Sequence, residues 1–152
     1  MAKLKLVYVT YIATTVDRLW KALLEPEFTR QYWGQDNVSD WQPGSKWEHR
    51  RGDDSGTVLI VGKVVESDRP RRLVLTWADP AEAANAASYS RVTFEVEPIE
   101  KMVRLTVTHD ELASDSEMAQ KINRGWPRVL SSLKSLLETG KALDTWADSS
   151  AR

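Results

Sequence analysis

The chain has 152 residues, 41% apolar and 28% charged, which are the proportions of one globular domain and not of a disordered chain. Its net charge of −1 supplies no overall field for nucleic acid or an anionic membrane. Cysteine is absent, which excludes disulfides, thiolate catalysis and cysteine-ligated metals, and no apolar run approaches the ~20 residues of a membrane-spanning helix.

Residues 3–12 alternate Leu4, Leu6, Tyr8 and Thr10 against Lys5, Val7, Val9 and Tyr11. That period of two predicts a strand. The start lacks a small-residue cleavage signal after an apolar core, so the protein is expected to stay in the cytoplasm. Thr14 is positioned to cap a helix carrying Val16, Leu19, Trp20 and Leu23 on one face, with Trp20 a core residue. Pro26 stops that helix and opens a second over 26–33, which Gly34 ends.

Strands and turns follow: a short strand at 38–41, a turn at 42–45, and a strand at 46–51 with Trp47 and His49 on one side. A polar turn at 52–56 leads to a strand at 57–67. Asp68-Arg69-Pro70 turns the chain into a strand at 72–77. Residues 78–87, rich in alanine and acids and containing Pro80, suit a loose helical turn, but the flanking strands favour a mobile rim loop. A last hairpin pairs 88–97 with 101–109 across residues 98–100. Val92, Phe94 and Val96 face one way, and Val103, Leu105, Val107 and His109 likewise.

A helix is predicted over 114–139, with Ser114 and Glu117 as a capping box and Ile122, Trp126, Val129, Leu133 and Leu136 or Leu137 along one face. About 25 residues at ~1.5 Å each give a rod of roughly 37 Å, the width of six or seven strands at ~4.8 Å. Pro127 inside it removes the bond to the Asn123 carbonyl, at a cost of about 3 kcal/mol; the reading favoured is a kinked helix over a new helix starting at Pro127. The fold class is therefore α+β, a curved antiparallel sheet with two short helices and a long C-terminal helix. Residues 1–140 make one domain and 141–152 a tail, in which Leu143 and Trp146 form a short turn that packs on the body or on a second copy.

Several blocks together resemble the SRPBCC/START-like superfamily, in the group similar to the C-terminal domain of the activator of Hsp90 ATPase. They are VDRLWKALLEPEFTRQYWG at 16–34, SDWQPGSKW at 39–47, GKVVESDRPRRLVLTW at 62–77, SRVTFEVEP at 90–98, LTVTHD at 105–110 and GWPRVLSSLKSLLETG at 125–140. The resemblance covers about residues 4–140 and implies a helix-grip fold with a cavity between sheet and long helix. Relatives include lipid and polyketide binders, a few cyclases and co-chaperone domains.

Seven tryptophans, each a large apolar surface with one N–H donor, suit the walls of such a cavity and equally suit an ordinary core. By the family's architecture the wall residues are Trp33, Trp47, Trp77, Phe94, Trp126, Val129 and Leu133. His109, inward on the last strand, has three readings: a satisfied structural histidine, a group that orients a ligand, or an acid/base. Asp110 points to the opposite face, which weakens a catalytic pair. His49 is a ligand contact at most, since no further metal ligands have suitable spacing, and the arginines at 50, 51, 69, 71 and 72 read as solvated charge in turns. No phosphate loop, zinc helix motif or nucleophile elbow occurs.

The function expected is noncatalytic binding of a small hydrophobic or aromatic molecule, with no cofactor or metal. A cyclase- or hydrolase-like enzyme in the same cavity, with His109 or Glu48 as acid/base, and a co-chaperone-like protein-interaction domain are the alternatives. A homodimer and a protein partner are the further partners considered.

Overall fold

A computed structural model of the chain describes residues 3–53 and 55–143. The elements in chain order are β1 (Lys3–Ile12), α1 (Val16–Leu24), α2 (Pro26–Tyr32), β2 (Gln35–Ser39), β3 (Lys46–Arg51), β4 (Val58–Asp68), β5 (Arg72–Trp77), β6 (Ser90–Ile99), β7 (Met102–Ala113) and α3 (Glu117–Thr139). The seven strands form one antiparallel sheet in the order β1-β7-β6-β5-β4-β3-β2. Every neighbour in the sheet is a neighbour in sequence except β1, which pairs with β7. The helix-grip fold inferred from the sequence is the fold observed.

One face of the sheet carries the helices. β6 and β7 bury Val92, Phe94, Val96, Val103, Leu105, Val107 and His109, and α3 buries Ile122, Trp126, Val129, Leu130, Leu133, Leu136 and Leu137 against them. Burying each large apolar side chain contributes roughly 1.5–3 kcal/mol, so this layer dominates the stability of the domain. Trp20 is 1% exposed on α1, as a core residue should be. α1 is tied to α3 by Arg18, whose guanidinium donates to the Leu137 carbonyl at 2.9 Å, and to α2 by the Tyr32 hydroxyl, which donates to the Ala22 carbonyl at 2.8 Å.

Four local expectations are corrected. The cap of α1 is Thr15, not Thr14: Thr14 N–H closes a tight turn onto the Ile12 carbonyl, and the extended Thr15 accepts from Arg18 N–H at 3.2 Å. The cap of α3 is Ser116, which accepts from Ala119 N–H at 3.0 Å, because β7 goes on pairing with β1 as far as Ala113 and leaves Ser114 outside the helix. Near this end the register against β1 shifts between Leu4 and Leu6, and Glu111 takes φ 60°. The extra residue turns Leu112 inward to 2% exposure. The third correction is β2, which lies at Gln35–Ser39, with only Trp33 and Gly34 between it and α2. The fourth is the 78–87 stretch, which forms two short 3-10 turns capped by Asp79 and Asn85 and pinned by the Tyr89 hydroxyl on the Ala83 carbonyl at 2.7 Å.

The long helix is a single element through Pro127, and no new helix begins there. Pro127 is exposed while Trp126 beside it is 3% exposed, so the missing backbone bond falls on the solvent side and the packing on the other. Gly140, at φ +85°, ends it by donating its N–H to the Leu136 carbonyl at 2.9 Å. Of the two tail residues named from the sequence, Leu143 is exposed, and Trp146 lies outside the described residues.

Candidate functional site

The cavity that the resemblance implies between sheet and α3 is a further expectation corrected: that space is filled by rings from β3, β5, β6, β7 and α3 and by Trp33. On β3 the alternation puts Trp47 and His49 inward, 1% and 2% exposed. Trp47 sits opposite Gly62 of β4, and its indole N–H passes over that glycine to donate to the Thr76 carbonyl of β5 at 2.7 Å. A methyl group at Gly62 would lie 1.9 Å from that carbonyl oxygen and 2.4 Å from the Trp47 indole nitrogen, so only glycine allows the crossing. The ladder is adapted to it: Lys63 N–H takes the Thr76 hydroxyl at 2.8 Å and leaves the Thr76 carbonyl to the indole.

His49 is set by its neighbour across the β2–β3 ladder, Asn37. The Asn37 amide donates to the Leu23 carbonyl at 2.9 Å, which turns its Oδ1 toward His49 Nδ1 at 2.6 Å. A carbonyl oxygen can only accept, so Nδ1 carries the ring proton and Nε2 is the lone-pair nitrogen. Burial holds the His49 pKa down at about 3, against a smaller upward pull from Asp36, and the ring is neutral at pH 7.

His109 is the centre of a second chain of bonds. The Trp126 indole N–H donates to His109 Nδ1 at 3.1 Å, so Nδ1 accepts and Nε2 bears the proton. Nε2 then donates to the Ser90 hydroxyl at 2.8 Å, and Ser90 donates to the Trp77 carbonyl at 3.2 Å. Both nitrogens are engaged, and burial lowers the pKa to about 3 with Asp110 opposing. Asp110 itself faces the outer side, where Arg91 grips it at 2.8 and 3.1 Å and holds its carboxyl below the usual carboxylate range. His109 and Asp110 therefore form no catalytic couple. Glu48 likewise faces away from His49 and pairs with Arg50.

The rings touch one another throughout. Trp33, just past the end of α2, lies 4.4 Å from His49 and 5.4 Å from Trp126, centre to centre; Trp77 lies 5.3 Å from Trp47, 5.4 Å from His109 and 5.9 Å from Trp126. Phe94 meets Trp126 edge-on at 5.8 Å. Val129 and Leu133 lie farther along the same buried face of α3. Of these rings Trp33 alone is half-buried; the others are buried.

Among the described residues four buried side-chain polar atoms have no hydrogen-bond partner, and two of them, His49 Nε2 and Trp77 Nε1, belong to this cluster. The two rings are 6.0 Å apart. An unpaired buried donor or acceptor costs about 1–3 kcal/mol, so this arrangement is destabilising. A cleft of about 210 Å³ opens at the sheet end beside the cluster, lined among others by Ser88, Ser90, Leu112, Ser116 and Met118. It reaches the cluster at Ser90 and does not penetrate between Trp77 and Trp126. Two other clefts lie on the outer face of the sheet between paired charges such as Arg72–Glu95 and Arg91–Asp110.

Eight residues were singled out from the sequence for the site. The structure brings Trp33, Trp47, Trp77, Phe94, His109 and Trp126 into one ring cluster, with Val129 and Leu133 on the helix face that covers this space. Sequence reasoning missed Asn37, Ser90 and Gly62, and gave His49 only a contact role. Among the described residues no group of three or more histidines and carboxylates is placed to hold a metal ion.

With this geometry in view, residues 13–138 match the model of the family described as activator of Hsp90 ATPase homolog 1-like protein. The chain belongs to this family. Its fold is shared with solved structures. The Aha1 dimer from Colwellia psychrerythraea matches at TM-score 0.74 and 19% identity, over 91% of this chain and 99% of that one. A protein from Mesorhizobium loti matches at TM-score 0.71 and 23% identity, over 88% and 96%. An Hsp90 activator from Plasmodium falciparum matches at TM-score 0.71 and 21% identity, over 88% and 95%. No curated protein sequence matches this one significantly. No described helix is long and apolar enough to cross a membrane.

Proposed function

We propose that this domain binds a small hydrophobic or aromatic molecule between the sheet and α3, without turning it over. The observation that carries the reading is the ring cluster itself: aromatic walls from β3, β5, β6, β7 and α3 converge on one place, closed on one side by the half-buried Trp33. Ring faces and edges offer an apolar guest the offset and edge-on contacts that Phe94 and Trp126 already make with each other. Because the rings now fill the space, binding requires Trp33 to move off His49, as a wall that swings and not as an open mouth.

Absence of turnover is supported by the histidines. Acid–base work calls for a group that titrates near the working pH, and both rings here are held neutral by burial, with His109 bonded at both nitrogens. The test is native mass spectrometry of protein purified from its own cells. A reproducible increment that disappears on denaturation is expected. A bare chain mass, combined with no change in the Trp33, Trp77 or Trp126 indole resonances on titration with apolar aromatic fragments, would refute the proposal.

A protein-interaction role is the second reading, favoured by the edge strand β1, which exposes Val7, Val9 and Tyr11 in a row on the outer face. A second copy of the chain is its proposed occupant, and the Colwellia relative is described as a dimer. Light scattering over a concentration series tests it: association abolished by Val9→Lys supports the reading, and a monomer mass throughout removes it.

A further inference from the structure

We propose that the buried site selects its guest by a hydroxyl group, an alcohol or a phenol, that accepts the Trp77 Nε1–H and donates its own proton to His49 Nε2. This rests on the small-molecule reading above and names the chemical class of the guest. The tautomer is fixed by structure: Leu23 orients the Asn37 amide, Asn37 Oδ1 takes the His49 Nδ1 proton, and Nε2 is left as an acceptor. The indole of Trp77 can only donate. The two atoms are therefore complementary in kind, both buried, both without a partner, and carried on neighbouring rings 6.0 Å apart.

Few functional groups satisfy both. A hydrocarbon satisfies neither, and an ether or ketone accepts from Trp77 but has no proton for His49. A carboxylate also has no proton to give, and brings a charge among ring faces whose quadrupole repels it. An ammonium donates to His49 but cannot accept from Trp77. A hydroxyl does both at once. Its carbon body then lies against Trp33 and Trp126, the rings beside the pair.

The test compares phenol, anisole and toluene, close in size, on the unaltered chain by NMR of the indole N–H signals. The Trp77 signal is assigned by its loss in Trp77→Phe. Phenol is expected to bind on the order of tenfold tighter than toluene and to move the Trp77 signal downfield, with anisole between them. In His49→Phe the preference of phenol over anisole should vanish. Equal binding of phenol and toluene, or a Trp77 signal unmoved by phenol, overturns the inference, assigns the pair to a bound water, and leaves the binding proposal standing. If none of the three probes perturbs Trp33, Trp77 or Trp126, the binding proposal itself fails and this inference with it. The affinity comparison of phenol with toluene needs no variant, so a misfolded substitution cannot mask that answer.

Discussion

Acidification from pH 7 to pH 5 is expected to destabilise this domain by about 4 kcal/mol, and the two buried histidines are the cause. Both have folded pKa values lowered from 6.5 to about 3, chiefly by burial. In that window the unfolded chain takes up protons that the folded chain refuses, so stability falls with falling pH, at up to ~1.4 kcal/mol per pH unit for each ring. Between pH 7 and 5 an unfolded histidine goes from about one quarter to nearly fully protonated, which integrates to about 2 kcal/mol per ring. Asp36 and Asp110 oppose burial, but each is already paired, with Arg30 and Arg91. The lowered carboxyls of Asp53, Asp110 and Glu138 contribute stability that is lost only near and below their unfolded values of 3.8 and 4.5, outside the window.

Urea unfolding followed by tryptophan fluorescence measures the effect. With slopes of about 1–3 kcal/mol per molar for domains of this size, the midpoint should fall by roughly 1.3–4 M from pH 7 to pH 5 and stay level above pH 7.5. A variant lacking one ring, His49→Phe, should keep about half of the dependence. A midpoint that moves by less than about 0.5 M would show that the rings take protons in the folded state, and so that the interior is wet.

Gly62→Ala is expected to cost more than about 3 kcal/mol or to abolish folding, because the methyl group overlaps the Thr76 carbonyl and the Trp47 indole; thermal melting against the parent checks it. Gly125→Ala in α3 meets open space and should raise stability by about 0.5–1 kcal/mol in urea titration. Ser90→Ala strands the His109 Nε2–H, with a loss of about 1–3 kcal/mol, and should shift the Trp126 indole resonance through the ring they share.

Periodicity carried most of the fold. β3 and β5 were readable to the residue because Trp47 and His49 alternate against Glu48 and Arg50, and Leu73 and Leu75 against Arg72 and Thr76. α3 was readable from its apolar face. What failed were features set by contacts distant in sequence: β7 runs four residues beyond His109 because β1 pairs with it, and Ser114 offers the capping-box spacing to Glu117 that Ser116, the serine that caps, lacks. The site was legible as a set of rings and illegible as a set of hydrogen bonds. Asn37 and Ser90 are small polar residues at inward register positions, and their partners, Leu23 and His49 for one and His109 and Trp77 for the other, lie between 12 and 19 residues away. A lone glycine in the β-branched run of β4 was the one signal available for Gly62.

Under the binding proposal, the same desolvation that keeps both histidines neutral at pH 7 also makes the interior selective. In water an unpaired imidazole nitrogen or indole N–H is satisfied by solvent and discriminates little between guests. Buried among rings, each remains costly until something of the right polarity arrives, so a guest gains the relief of that cost in addition to its own contacts. His109 illustrates the opposite case in the same ring cluster: its nitrogens are closed by Trp126 and Ser90, and neither is left to bond anything else. The division of labour between two histidines of equal burial is therefore set by their partners. Asn37 satisfies one nitrogen of His49 and leaves the other without a partner, whereas the neighbours of His109 satisfy both.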